Sequence, residues 1–187
     1  MTLGYKQTRL LMQFFLASEA MFFVVLIIAY VYYRNYSNTW VDSTEYLDVM
    51  KSGFYTALLL ASSGTIAISA KGVHNKNRSR IILGLVLTIA LGIIFLVGQG
   101  MEYAGLVSSD MTMSENIFGS AFFTLTGFHG LHVLIGVIAM SIILWLTYKG
   151  HINESQSSAF LGVEWYWHFV DVVWVIVFFV VYIIPLL

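Results

Sequence analysis

The chain has 187 residues, of which 59% are apolar and 10% charged; its formal net charge is −1 and it has no cysteine. Soluble domains are about a quarter charged, so this composition, with a mean hydropathy of +0.82 and a single proline, describes a polytopic α-helical membrane protein. It gives no sign of nucleic-acid binding, lacks the short alternating segments of a β-barrel, and excludes disulfides, thiolate metal sites and iron–sulfur clusters on this chain.

The long uncharged runs predict five helices, at about 10–33, 54–70, 81–101, 117–147 and 159–184. The first ten residues are too polar for a cleavable signal peptide, so the first helix is expected to direct insertion. Segment 34–53 is polar, with Asp42, Glu45 and Asp48; 71–80 is a basic turn; 102–116 carries Glu102, Asp110 and Glu115; 148–158 is a short polar turn. None could hold a soluble domain, so 1–187 reads as one helical-bundle domain of all-α class. The second helix is expected to be short, and Pro185 to fall beyond the last span. Lys6, Arg9, Lys71, Lys76, Arg78, Arg80 and Lys149 lie on one side of the membrane, and only Arg34 and Lys51 on the other. The positive-inside rule then puts the N-terminus in the cytoplasm and the C-terminus outside. Tyr36, Trp40 and Tyr46 suit an outer interfacial belt.

Helix 1 contains FFLASEAMFFVV. Its Glu19, about 14 Å deep at ~1.5 Å per residue, is either a packing acid or a proton-exchangeable or lipid-sensing acid in a cleft. A lone carboxyl at that depth is expected to be mostly neutral. In helices 2 and 3, Ala61 and Thr65 face a ridge of Gly84, Thr88 and Gly92, which predicts close helix packing. Gln99 and Glu102 are placed near the outer interface, terminating and anchoring helix 3.

Helix 4 contains FGSAFFTLTGFHGLHVLIG. His129 and His132 share one turn and could serve as metal or haem ligands, or bond across helices to Glu164 or Asp171. Two histidines on one turn cannot take opposite faces of one haem, which favours the bonds. In helix 5, EWYWHFVDVVW puts Glu164, His168 and Asp171 on one stripe. Ionisable groups at such depth face protein, water or a cavity. The stripe could be a proton relay, an ion site, or a structural polar cluster. It covers only about two turns, and no broken helices or repeats accompany it, so the structural cluster is expected. His129, His132, Glu164, His168 and Asp171 would then lock helix 5 to helices 1 and 4, with no metal.

Together, LASEAMFF, TALLLASSGTIAIS, GLVLTIALGIIFLVGQGMEY, FGSAFFTLTGFHGLHVLIG and WYWHFVDVVW resemble subunit III of the haem–copper terminal oxidases, in its short five-helix bacterial form. The resemblance covers nearly all of residues 10–184. It implies a non-catalytic subunit of a proton-pumping oxidase that reduces oxygen to water. Haem and copper would sit in partner subunits. The chain would pack on the catalytic subunit I, alongside subunit II and a small subunit IV, in the bacterial cytoplasmic (inner) membrane. It would hold phospholipid in a cleft beside Glu19 and support proton uptake and durability in turnover. Longer members carry two further helices ahead of helix 1, and Glu164 stands a few residues from where the family's acid is expected. The alternatives are the related accessory subunit of nitric oxide reductases, a small ion-coupled transporter and a haem-binding membrane cytochrome.

Overall fold

The computed structural model describes residues 3–38, 40, 41, 44, 46–114, 116–150 and 154–187; Asp42, Glu45 and Glu115 lie outside them. Five helices run up and down: α1 Leu3–Tyr36, α2 Val49–His74, α3 Arg78–Ser108, α4 Ile117–Tyr148 and α5 Glu154–Phe178. All five are long and apolar enough to cross a membrane. α5 continues as a π-helical turn, Phe179–Ile183, and a 3-10 turn, Ile184–Leu186.

The helices overrun the apolar stretches that predicted them. α2 is 26 residues long rather than short, and Pro185 lies in the terminal 3-10 turn, inside the last span instead of following it. The helices end where backbone groups find other partners, not where hydropathy falls. Asp48 caps α2 by accepting from the Met50 and Lys51 N–H groups. Asn77 and Asn116 cap α3 and α4 by accepting from Arg80 and Gly119. The Lys51 N–H and ammonium, with the Met50 N–H, hold the Asp48 carboxyl below the usual carboxylate range. The cap therefore contributes its full strength above that range and is lost as pH falls through the lowered pKa. α4 ends with Gly150 in the left-handed region at φ 79°, where glycine carries no Cβ penalty.

α5 is the axis of the bundle, packed on α1, α2 and α4, while α2 lies flat along α3 and α3 along α4. α1 is the least buried span and packs on α4 and α5 alone to any extent. The Gly84–Thr88–Gly92 ridge does what its spacing predicts, but against two different neighbours. Gly84 lets the Ser69 and Thr65 backbone of α2 approach closely, and Thr88 shares a 2.7 Å hydrogen bond with Thr65. Gly92 instead faces α5. Ala61 is exposed and takes no part in that contact.

Trp167 of α5 is fully buried. Its ring sits between Gly92 of α3 and Gly136 of α4; a Cβ at either would lie 2.8 Å from the indole. Its N–H donates to Ser62 Oγ of α2 at 2.8 Å, so one side chain ties four helices. Two turns on, the Trp174 N–H donates to Thr56 Oγ1 at 2.9 Å. Each hydroxyl also donates to a carbonyl of its own helix, Leu59 for Ser62 and Ser52 for Thr56.

A methyl group added in the Trp167 slot should therefore overpack it. Gly92→Ala and Gly136→Ala are each expected to destabilise the chain by about 1–3 kcal/mol. Gly64→Ala, whose Cβ would meet nothing within 4 Å, should not. Thermal unfolding in mild detergent reads the difference, and equal midpoints for all three variants would contradict the slot.

Candidate functional site: the intramembrane acids and histidines

The five residues expected in one polar cluster fall into separate groups. The first joins α1 to α4: Glu19 Oε2 lies 3.0 Å from His132 Nε2. His132 Nδ1 lies 2.7 Å from the Phe128 carbonyl oxygen. A carbonyl only accepts, so Nδ1 carries a hydrogen. The proton between Nε2 and Glu19 then belongs to either partner, as carboxylic acid and neutral imidazole or as carboxylate and imidazolium. Both forms have the same net charge. Phe23 meets the His132 ring edge-on at 4.9 Å, and the Tyr166 hydroxyl donates to the His132 carbonyl at 3.0 Å. With both nitrogens engaged, His132 has none free for a metal.

Glu19 is thus not the isolated acid that its helix suggests. A depth of about 14 Å follows only from the start of the apolar stretch, about nine residues away. Counted along the described helices, Glu19 is sixteen residues from Leu3 and His132 sixteen from Tyr148. Both lie about 24 Å along antiparallel neighbours at ~1.5 Å per residue, which is why they meet.

The second group joins α5 to α2, not to α1 and α4. Ser63 Oγ donates to Asp171 Oδ2 and lies 3.1 Å from His168 Nδ1. Because the Ser63 proton is given to Asp171, the His168 nitrogen must be the donor in the other contact. The three residue types match a hydrolytic triad, but the order does not. In a triad the imidazole lies between carboxylate and hydroxyl and takes the hydroxyl proton. Here the serine lies between, so nothing activates it. Asp171 is 3% exposed, and its Oδ1 has no partner among the described residues.

His129 belongs to neither group. It is fully buried, stacked on Trp174 at 4.6 Å and edge-on to Phe95 at 5.9 Å. Neither ring nitrogen has a hydrogen-bond partner among the described residues. The expected interhelical bond is absent because this face of α4 meets the aromatic core rather than the polar residues of α5. Glu164 is half-buried and, among the described residues, bonds to none of the other four. Gln99 and Glu102 do not terminate α3, which runs on to Ser108 and is capped at Ser109, because the α3 backbone stays helical past the end of the apolar stretch. Glu102 accepts from Ser52 at 2.7 Å, Tyr182 at 2.7 Å and Gln99 at 3.4 Å.

The residues missed were the partners: Ser52, Thr56, Ser62 and Ser63 of α2, and the tyrosine and tryptophan tips of α5. The signal was available. Buried positions of α2 recur as Ser52, Thr56, Leu59, Ser62, Ile66 and Ser69, a hydroxyl-rich stripe at helical spacing. Among the described residues, no group of three or more His, Cys, Asp or Glu could hold a metal ion.

The family profile for cytochrome c oxidase subunit III matches residues 3–185. The chain belongs to that family. Cytochrome c oxidase subunit 3 of Corynebacterium diphtheriae is 37% identical over 173 residues, covering 91% of this chain and 84% of the relative. That of the Synechocystis strain is 36% identical over 172 residues, 91% of this chain and 72% of the relative. The Arabidopsis thaliana protein is 35% identical over 175 residues, 90% and 65%. A subunit III is an accessory subunit of a haem–copper terminal oxidase. The Glu19–His132 pair, the Ser63 group and the Glu102 group are therefore polar features of an accessory membrane subunit.

The two α4 histidines should behave oppositely on substitution. His132→Leu leaves the Glu19 carboxyl without its partner and is expected to cost about 1–3 kcal/mol. His129→Leu removes ring nitrogens that make no hydrogen bond among the described residues, so its cost should be confined to lost ring contacts with Trp174 and Phe95. Thermal unfolding of both variants in detergent checks this, and a larger loss for His129→Leu would contradict it.

Proposed function

We propose that this subunit III packs on the catalytic haem–copper subunit I, with subunit II and a small subunit IV in the same complex. On this reading residues 1–187 form one domain of a bacterial cytoplasmic-membrane oxidase, and haem and copper reside in the partners. Its N-terminus is cytoplasmic and its C-terminus outside, as the seven-to-two division of Lys and Arg favours. Reporter fusions after residue 75 should score as cytoplasmic and those after 110 as external; the reverse pattern would refute the orientation.

The observation that carries the functional reading is the 3.0 Å contact between Glu19 of α1, the least buried span, and His132 of α4. Beyond it, α1 and α4 line a groove of about 410 Å³ with Leu26, Tyr30, Tyr33, Ala121 and Thr124 in its wall. An apolar groove of that size with a few hydroxyls suits a phospholipid acyl chain. The pair and the lipid beside it then tune the surroundings of the catalytic subunit's proton entry and protect the complex in turnover. On this reading Glu19 is not an obligatory proton carrier: α1 has no second carboxyl or histidine to continue a path from it.

Glu19→Gln keeps the shape of the side chain and removes its titratable proton. In the assembled complex this variant should retain most electron-transfer activity, with at most a partial loss of proton pumping or of durability. Initial oxidase activity near zero, in a complex retaining this subunit and its full haem spectrum, would put Glu19 on the obligatory path and overturn the proposal.

A further inference from the structure

The bundle end that carries the start of α2 holds a second cavity, remote from Glu19 and between α2 and α3, of about 240 Å³. Its inner wall is Glu102. The three groups that donate to this carboxylate, Ser52, Tyr182 and Gln99, are all neutral. Among the described residues, the ion pairs are Asp48–Lys51 and Glu19–His132, and no cation reaches Glu102. Tyr182 is delivered to it by the π-helical turn at the end of α5, an uncommon backbone form that often marks functional positions.

The rest of the wall is chemically mixed. Tyr46 and Tyr55 supply rings, and Gly98 makes room for the Tyr55 ring, since a Cβ there would lie 2.6 Å from it. At the rim Lys51 is paired with Asp48 at 3.0 Å, with the lysine side chain 78% exposed. Exposed i,i+3 pairs hold weakly, so the ammonium can pivot to another anion. Phe54 and Val97, close in sequence to Tyr55 and Gly98 on the same two helices, and Met101 of the wall itself present exposed apolar side chains.

We propose that this cavity binds the headgroup of a zwitterionic aminophospholipid, with its primary ammonium on Glu102 and its phosphate on Lys51. A primary ammonium can donate to a carboxylate that already has neutral donors and lacks a cation, and it is attracted by the tyrosine faces. A trimethylated ammonium cannot donate. An anionic headgroup without an amine meets Glu102 and Asp48 as like charges. The apolar side chains beside the cavity give acyl chains a place to lie, which a soluble amine would not need.

The test is native mass spectrometry of the full chain, purified in mild detergent with whatever subunits accompany it. It is titrated with phosphatidylethanolamine, phosphatidylcholine and phosphatidylglycerol of identical acyl chains, and with glycerophosphoethanolamine. Phosphatidylethanolamine should occupy one site roughly tenfold more tightly than the other two lipids, as expected for one hydrogen bond to a charged group. Glu102→Gln and Lys51→Glu should each erase that preference. Lys51 lies at the exposed rim, so its variant decides the matter even where Glu102→Gln impairs folding. Equal binding of the three lipids to the wild type, or a preference unchanged by Lys51→Glu, would overturn the proposal. So would glycerophosphoethanolamine binding as tightly as the lipid. A carbodiimide cross-link between Glu102 and a lysine of an accompanying subunit, with the lipid excluded, would assign the cavity to a protein partner instead.

Discussion

The bundle depends on one tryptophan seated between two glycines. In a bilayer, moving an apolar side chain from lipid to protein yields little, because lipid tails are as apolar as leucine. Helices associate through close packing and through polar groups that lipid cannot satisfy. Trp167 uses both. Its ring fills the space left by the missing side chains of Gly92 and Gly136, and its N–H reaches Ser62. α2, α3 and α4 are thereby fixed around α5, and the positions of the other polar groups follow from that arrangement.

With Trp167 inward, residues one position or one turn away must point to flanking helices. Tyr166 turns toward α4 and bonds to the His132 carbonyl beside the Glu19 pair. His168 and Asp171 turn toward α2 and meet Ser63. Trp174, seven residues on, repeats the Trp167 contact at Thr56 and gives His129 its stacking partner. Tyr182 lies in the π-helical turn that follows α5, and its hydroxyl donates to Glu102 at 2.7 Å. The division of labour is physical: α5 supplies long side chains with polar tips, and α2 supplies short hydroxyls at matching heights.

The order, number and type of helices are legible in hydropathy alone, because only hydrogen-bonded helices span lipid and the runs are long. The family is legible from strings such as TGFHGLH and YWHFVDVVW. The Gly84–Gly92 ridge is legible as packing, although spacing does not reveal that its upper half meets an indole on α5 instead of α2. Pairing is what the sequence conceals. Glu19 and His132 are 113 positions apart, and their equal height shows only along the full helices, which overrun the edges of the apolar stretches. The stripe on α5 is correctly periodic, but period does not tell which neighbour it faces. The hydroxyls of α2 that answer it look, one at a time, like ordinary small residues.

The seat of Trp167 is tested most directly by a double-mutant cycle between Trp167→Phe and Ser62→Ala, read as unfolding stability of the chain in mild detergent. Ser62→Ala leaves the indole N–H buried without an acceptor, and Trp167→Phe removes that N–H. The double variant should therefore be less destabilised than the two single losses added together, by about 0.5–1.5 kcal/mol, the scale of one intramolecular hydrogen bond. Strictly additive losses would contradict the seat, because they would mean that Trp167 and Ser62 do not depend on each other.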